Sequence, residues 1–448
     1  MTRARVRRLV RLLSIWLCVA ALAPIPGRAQ DRPVIEVTPG QGRSFRVAVQ
    51  RFASGGSGAT SKRRGQLKAA IEDALSFNAV LKPLPEAAFL GAEETAELTD
   101  GPRFDCADWT QSGAAGLIEG ELALKGDQLR VSFAVWDAAR CLRLLEGSHS
   151  GSPRDLVRLG QRVADDAVGA FTGSRGVAAT EIAFVSTRTG RREIFVMSSD
   201  GSNARPATRS DAIKAFPDWL PGAEAILYTR YLKNGVPALF LTSRGDVHPG
   251  QILSGVLPGA PKYGGVFSPD GNDLALVSSI NGAAEIFRVH RDGKKLRRLT
   301  HSRAIEVAPS WSPDGKQIAF VSDRFGTPQI FVMDSDGENP RRISYQSSYS
   351  ASPAWSPDGR WIAYEVRAET QFDIYVVDPL GEVTVPVVVH RRNDQSPSWS
   401  PDGRKIVFAS DRRGRWDLYV FDLGTGTLTR LTYAAGDNTA PAWGPFPP

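Results

Sequence analysis

Four aspartates recur at a fixed interval of 44 residues: Asp270, Asp314, Asp358 and Asp402. The last three stand in a complete Trp-Ser-Pro-Asp-Gly motif, and the first has phenylalanine in place of tryptophan. A repeated carboxylate could serve as a general acid, a general base or a metal ligand, and a repeated aromatic ring could stack on a ligand. Four copies in the same register favour a simpler interpretation. Proline and glycine suit the second and fourth positions of a type I turn, and aspartate accepts hydrogen bonds from its own backbone there.

The motif therefore predicts a hairpin turn, and we expect Trp311, Trp355 and Trp399 to pack between repeats. Other chemistry is sparse. The sequence has no Gly-x-Ser-x-Gly, His-Glu-x-x-His or Cys-x-x-Cys motif, and its five histidines are scattered. Residues 334–339 are similar to the start of a calcium loop, but their glycine is out of register. We predict no catalytic residue and no metal ligand from these patterns.

The motif belongs to a longer repeat of short β-rich segments. Six copies of an apolar strand lie at residues 182–186, 226–229, 274–278, 318–322, 362–365 and 406–410. Each is followed by a second strand, a hairpin turn such as Asp336-Gly337 and a last short strand. Four short antiparallel strands repeated six times predict a six-bladed β-propeller over residues 179–448.

Two irregularities in the repeat carry predictions. Residues 440–445 nearly copy residues 352–357, so we expect the C-terminal segment to supply the innermost strand of the first blade and close the ring. Residues 219–222 lack the aspartate, and the spacing from Trp219 to Phe267 rises to 48. We expect residues 248–264 to form a surface loop over one mouth of the ring.

An α/β domain is predicted before the propeller. Strands are expected at residues 45–52, 79–84, 116–124, 128–135 and 142–148, and a helix at residues 61–77. Ser152-Pro153 starts a second helix with an apolar stripe that ends near Thr172. The fold class is thus a small α/β domain at residues 45–172, a linker at 173–178 and an all-β six-bladed propeller closed by the C-terminal strand.

The first 29 residues are typical of a secretory signal. Six arginines and no acid surround an apolar run at residues 12–24, which is too short to span a bilayer. Without those arginines, 49 basic residues face 48 acidic ones, so the charge balance favours neither nucleic acid nor a membrane surface. We expect cleavage near Ala29 and a mature tail at residues 30–44. In an exported protein, Cys106 and Cys141 could form a disulfide or remain two buried thiols.

An exported chain with a small α/β domain, six such blades and a closing Pro-Ala-Trp-Gly-Pro segment at residues 441–445 resembles the TolB family of Tol–Pal system proteins. The resemblance implies a periplasmic, non-enzymatic adaptor that is itself monomeric and does not span the membrane. It would link a peptidoglycan-associated lipoprotein of the outer membrane to an energised inner-membrane complex and support constriction at cell division. Calcium in the propeller channel is implied by the resemblance alone, and no other cofactor is expected.

The resemblance also implies two binding regions. The mature tail would bind a TolA-like inner-membrane protein through Asp31, Arg32, Val34, Ile35, Glu36, Val37 and Arg43. The lipoprotein would bind one mouth of the propeller through the loops that lead into the innermost strands. Those loops contain Phe216, Pro261, Lys262, Gly264, Val307, Ala308, Ala351, Ser352, Gln395, Ser396, Thr439 and Ala440.

A different class of function remains open from the sequence. An exported propeller can bind a small ligand or glycan, or act as a lyase or hydrolase through its channel, because a propeller builds a site from dispersed loops. Charged side chains that converge in the channel would favour this alternative. A channel lined by neutral residues would count against it.

Overall fold

A computed structural model describes residues 44–55, 61–89, 104–243, 251–252, 256–257 and 259–447. It confirms the predicted fold class: a mixed α/β domain precedes a six-bladed β-propeller. Within these ranges, no helix has both the length and the apolar character needed to cross a membrane.

The described part of the α/β domain has one six-stranded sheet and three α-helices. In chain order they are β1 (Phe45–Val49), β2 (Ala53–Ser54), α1 (Ser61–Asn78), β3 (Leu81–Pro83), α2 (Cys106–Gln111), β4 (Gly116–Lys125), β5 (Gln128–Asp137), β6 (Leu142–Gly151) and α3 (Leu156–Thr172). The strand order is β3-β1-β4-β5-β6, with β2 also paired to β4. Helices α1 and α3 pack against each other and bury Leu67, Ile71 and Val163 in the core of the domain.

Two elements of this domain differ from the sequence prediction. The strand expected at residues 45–52 is interrupted after Val49 and resumes as β2. Helix α2 was not predicted, because six residues are too few to show an apolar stripe. Asp105 caps this helix by accepting a hydrogen bond from the Ala107 backbone at 2.8 Å. A disulfide joins Cys106 of α2 to Cys141 beside β6, with Cα atoms 5.7 Å apart.

Six four-stranded antiparallel sheets form the blades. From the innermost strand outward, blades one to three comprise Asn438–Trp443, Glu181–Ser186, Glu193–Ser198 and Arg205–Pro206; Lys214–Trp219, Ala225–Tyr231, Pro237–Ser243 and Gln251–Ile252; and Lys262–Phe267, Asp273–Ser278, Glu285–His290 and Arg297–Arg298. Blades four to six comprise Glu306–Trp311, Gln317–Ser322, Gln329–Asp334 and Arg341–Arg342; Ser350–Trp355, Ile362–Ala368, Gln371–Val377 and Thr384–Val388; and Asp394–Trp399, Lys405–Ser410, Asp417–Asp422 and Leu428–Arg430.

The C-terminal strand closes the ring, as the sequence predicted. Asn438–Trp443 pairs antiparallel with Glu181–Ser186, so the first blade combines the end of the chain with the start of the propeller. The indole of Trp443 donates to Thr180 Oγ1 at 2.8 Å. The first blade therefore gains both its inner edge and part of its core from the last residues of the chain.

The repeated aspartates serve the turns between the innermost and second strands. Asp314 Oδ1 accepts from Ser312 Oγ at 2.6 Å and from the Lys316 backbone at 3.1 Å. The other three copies make the same contacts. The Ser268 hydroxyl and the Asn272 donors lower the pKa of the exposed Asp270 carboxyl to about 2. The turn interpretation is thus confirmed over an acid or ligand role.

The loop expected at residues 248–264 is shorter than predicted. Residues 251–252 form the outer strand of the second blade, and residues 262–264 belong to the innermost strand of the third. The glycine and proline content that suggested one long loop therefore spans a strand end as well. Residues 244–250 lie outside the described part of the chain.

Buried polar groups of the α/β domain hold the segment that leads into the propeller. Asp165 of α3 accepts hydrogen bonds from the backbones of Ala178 and Ala179 at 2.7 and 2.8 Å. Asn78 of α1 donates to Asp165 at 3.1 Å and accepts from the Val177 backbone at 3.0 Å. Burial raises the pKa of Asp165 to about 6 despite these donors.

Candidate functional site

The six innermost strands all begin at one end of the central channel, which we call the proximal mouth. Because each blade is antiparallel, the loops between second and third strands, and those leading to the next blade, lie at this same end. The Trp-Ser-Pro-Asp-Gly turns lie at the opposite, distal end. The structure therefore separates the repeated motif from the loops that precede it.

Every innermost strand carries a β-bulge just below the proximal mouth. The third residue of each strand adopts a left-handed backbone with φ between 48° and 57°. These residues are Phe216, Gly264, Ala308, Ser352, Ser396 and Ala440. For the five that are not glycine, this conformation costs on the order of 1 kcal/mol each. Bulges re-aim side chains at functional sites, and all six residues line the channel.

Half of the twelve mouth residues expected from the sequence thus form a single ring. The others lie beside it or behind it. Ala351 is buried, and Pro261, Val307, Gln395 and Thr439 are half-buried. Lys262 is 4% exposed and donates from Nζ to the carbonyl of Leu257 at 2.9 Å. The lysine therefore faces a loop of its own chain and is not presented at the surface. The seven tail residues, Asp31 to Arg43, lie outside the described residues.

The channel below the ring forms a cavity of about 530 Å³. Five prolines follow the ring residues in sequence and line its wall: Pro217, Pro309, Pro353, Pro397 and Pro441. Tryptophans from five of the six innermost strands complete the lining. Among the described residues that line the channel, Asp218 has the only titratable side chain.

The sequence analysis missed a set of exposed apolar side chains at the proximal mouth. They are between 49% and 69% exposed and comprise Ile213, Phe216, Ile280, Ile305, Phe325, Tyr345, Val389 and Tyr433. Only Phe216 was predicted as a site residue. A signal existed for Ile213 and Ile305, since each immediately precedes the first residue of an innermost strand. Large exposed apolar patches mark interaction surfaces in soluble proteins.

Buried charges anchor the strands directly beneath this surface. Glu306 and Asp394, each the first residue of an innermost strand, are fully buried. Arg324 donates to Glu306 at 3.0 Å, and Arg412 donates to Asp394 at 2.8 Å. In the first blade Arg188 donates to Asn438 at 2.9 Å, so an amide replaces the carboxylate there. Each of these arginines also lies over two aromatic rings of its own blade.

A second cavity of about 570 Å³ lies between the α/β domain and the sixth blade. Its lining includes Ser44, Phe77, Lys82, Lys405 and Asp422. Ser44 is the first described residue, so the mature tail joins the protein at this cavity. Within the described ranges, no group of three or more histidine, cysteine or acidic side chains is placed to hold a metal ion.

The described tryptophans of the motif differ in their contacts. The indoles of Trp311 and Trp399 donate to the carbonyls of Val266 and Ala354 in the preceding blades, at 3.2 and 3.0 Å. These two contacts confirm packing between blades. The indole of Trp355 instead donates to Gly359 in its own turn at 3.2 Å.

Comparison with known proteins identifies both parts of the chain. Residues 33–144 match the family described as the TolB amino-terminal domain, and residues 168–379 and 349–446 match the TolB beta propeller domain. A "Tol-Pal system protein TolB" of Anaeromyxobacter dehalogenans strain 2CP-1 is 33% identical over 308 residues, 68% of each chain.

Two further comparisons give the extent of the likeness. A "Tol-Pal system protein TolB" of Paramagnetospirillum magneticum is 34% identical over 246 residues, 54% of this chain and 53% of that protein. The chain thus spans about half the length of that relative. The crystal structure of TolB from Acinetobacter baumannii superposes with a TM-score of 0.74 at 22% identity, over 91% of this chain and 98% of that one, which is a likeness of fold.

Proposed function

Because this chain belongs to the TolB family, whose members act in the Tol–Pal system, we propose that it is a non-enzymatic periplasmic adaptor. Its proximal mouth would bind an outer-membrane peptidoglycan-associated lipoprotein, and its mature tail would bind a TolA-like inner-membrane protein. Linking the two membranes in this way would support outer-membrane integrity and constriction at cell division.

The observation that carries this proposal is the concentration of exposed apolar side chains at one end of the ring. In the propeller, Ile305 and Phe325 are 54% and 69% exposed at the proximal mouth, above strands fixed by buried ion pairs. A rigid platform with exposed apolar anchors is the arrangement that protein–protein interfaces use. The strained ring of bulged residues at the centre of this platform supports the same assignment.

The channel itself argues against the alternative of a lyase or hydrolase. General acid–base catalysis needs at least two proton-transferring groups or a metal-bound water placed around a substrate. The described lining residues offer one carboxyl, Asp218, among prolines, tryptophans, serines and small apolar residues. A neutral wall of this kind suits the insertion of a partner's side chains.

We predict that acidic substitutions at the proximal mouth weaken lipoprotein binding. Ile305→Asp and Phe325→Asp should each lower the affinity for the soluble domain of the cognate lipoprotein at least tenfold, which is about 1.4 kcal/mol. Burying an unpaired carboxylate in an apolar interface is unfavourable. Isothermal titration calorimetry with purified proteins measures the effect.

Leu380→Asp provides the matched control, since Leu380 is 66% exposed in a hairpin at the distal end. Its affinity should equal that of the unmodified protein. Equal affinities for all three variants would contradict the assignment of the proximal mouth. Absence of lipoprotein binding by the unmodified protein would refute the proposed function itself.

For the tail, we predict that a protein starting at Ser44 loses binding to the cognate TolA-like protein. Residues 34–37 favour an extended conformation, and an extended segment can add a strand to a partner's sheet. Surface plasmon resonance with the periplasmic part of that partner provides the measurement. Lipoprotein binding should persist in the truncated protein. Undiminished affinity for the TolA-like protein would show that the tail is not its docking segment.

A further inference from the structure

The seams between neighbouring blades alternate around the ring. At three seams a tryptophan indole donates to a backbone carbonyl of the preceding blade. These contacts are Trp219 to Ala442 at 3.1 Å, Trp311 to Val266 at 3.2 Å and Trp399 to Ala354 at 3.0 Å. At the other three seams a side-chain oxygen accepts from a backbone N–H of the following blade.

The three accepting side chains occupy equivalent positions but differ in charge. Ser310 accepts from the Trp355 backbone at 3.1 Å, and Ser398 accepts from the Trp443 backbone at 3.0 Å. Asp218 accepts from the Phe267 backbone in the same way and also from the Trp219 backbone. A serine hydroxyl is therefore sufficient for this seam, and the negative charge of Asp218 adds nothing to it.

The charge is also unfavourable where it stands. Burial among the walls of the channel raises the pKa of Asp218 to about 7, although two backbone N–H groups favour the ionised form. A buried carboxylate that serine could replace without loss of the seam implies a partner for the charge. The residues that line the channel, as far as the structure describes them, supply no cation.

The other titratable groups near the channel do not neutralise Asp218. Glu365, behind the ring, accepts from the Ser396 backbone at 2.9 Å, and burial raises its pKa. Tyr263 lies in the third blade, and burial raises the pKa of its hydroxyl as well. Neither can be positively charged. A metal ion fits poorly, because calcium requires six to eight oxygen ligands and one carboxylate provides two at most.

We propose that Asp218 is a specificity-determining residue that receives a lysine or arginine side chain from the protein partner bound at the proximal mouth. The inference rests on the proposed function. Asp218 follows the ring residue Phe216 by two positions, so it lies about 6 Å farther into the channel. A lysine or arginine side chain that enters through the ring has sufficient length to reach it. The low polarity of the surrounding proline wall strengthens such an ion pair.

The ion pair makes partner binding depend on pH. Protonation of Asp218 below a pH of about 7 removes the charge that the cation needs. Affinity should therefore rise between pH 6 and pH 8, as the carboxyl ionises. Replacement by serine should remove this dependence while retaining the hydrogen bond to the Phe267 backbone, as Ser310 and Ser398 do at their seams.

The test compares the unmodified protein with Asp218→Ser and Asp218→Asn. Each is titrated calorimetrically with the soluble domain of the cognate lipoprotein, in EDTA, at pH 6 and pH 8. At pH 8 both variants should bind about tenfold more weakly than the unmodified protein. At pH 6 the three affinities should converge. Thermal midpoints within a few degrees of one another, for at least one variant, show that the seam is intact.

Two results would overturn the inference while leaving the proposed function in place. One is equal affinity of the unmodified protein and both variants at pH 8. The other is a loss of affinity of the same size at pH 6 and pH 8, which would indicate a steric role without charge. If the unmodified protein does not bind the lipoprotein at either pH, the proposed function fails and the inference fails with it.

Discussion

Removal of residues 438–448 is expected to lower the thermal midpoint of unfolding by about 10 °C or more. The deletion removes the innermost strand of the first blade and leaves Glu181–Ser186 as an unpaired edge at the centre of the ring. It also removes Trp443, which is 7% exposed and packs against the first and sixth blades. Loss of one buried tryptophan alone costs about 3–5 kcal/mol.

Differential scanning calorimetry of the truncated and full proteins measures this effect. A synthetic peptide of residues 436–447, added in excess, provides the control because it can restore the missing strand in trans. We expect the peptide to recover much of the lost midpoint, and a peptide with Trp443→Ala to recover less. An unchanged midpoint in the truncated protein would show that the ring does not depend on this closure.

The second large effect is expected from Arg412→Met. Asp394 is fully buried, and Arg412 donates to it at 2.8 Å. Methionine keeps much of the apolar stem of the arginine but leaves a buried carboxylate without its cation. Removing one partner of a buried pair costs about 3–5 kcal/mol of the free energy of unfolding. Urea denaturation at pH 8 measures the loss.

Asp394→Asn is the matched control, since the first blade already pairs an amide, Asn438, with Arg188 at 2.9 Å. We expect this variant to lose far less stability than Arg412→Met. Similar losses for the two variants would argue that shape, and not charge, decides the stability of this site.

The cost of Arg412→Met should also depend on pH. Burial already holds the pKa of Asp394 above its usual range, and removal of the guanidinium raises that pKa further. A carboxyl with a raised pKa binds a proton on folding. Its favourable contribution is complete below the unfolded pKa and is lost as pH rises through the folded pKa. The difference in stability from the unmodified protein should therefore grow from pH 5 to pH 8.

The ring was predictable from sequence because each blade repeats the same turn. The 44-residue spacing of Asp314, Asp358 and Asp402 fixed the repeat, and the near copy at residues 440–445 predicted its closure. These features depend on local turn chemistry and strand patterning, which a sequence displays directly. The ring position of Phe216, Ala308, Ser352, Ser396 and Ala440 also followed from the repeat.

What could not be predicted depends on contacts between distant segments. Lys262 was expected at the surface, yet the carbonyl of Leu257 folds over its ammonium group. The exposure of Phe325 is decided by where neighbouring loops end, and no local pattern encodes it. Pairing of Cys106 with Cys141 remained open because the distance between their Cα atoms depends on the packing of α2 beside β6.

The alternating seams restrict how this propeller can change its size. Each blade meets one neighbour through an indole donor and the other through a side-chain acceptor, so the repeating unit is a pair of blades. Gaining or losing a single blade would bring two seams of the same kind together at a blade built for one of each. Tandem duplication or deletion of two blades preserves the alternation. Descendants of this ring should therefore have four or eight blades more readily than five or seven.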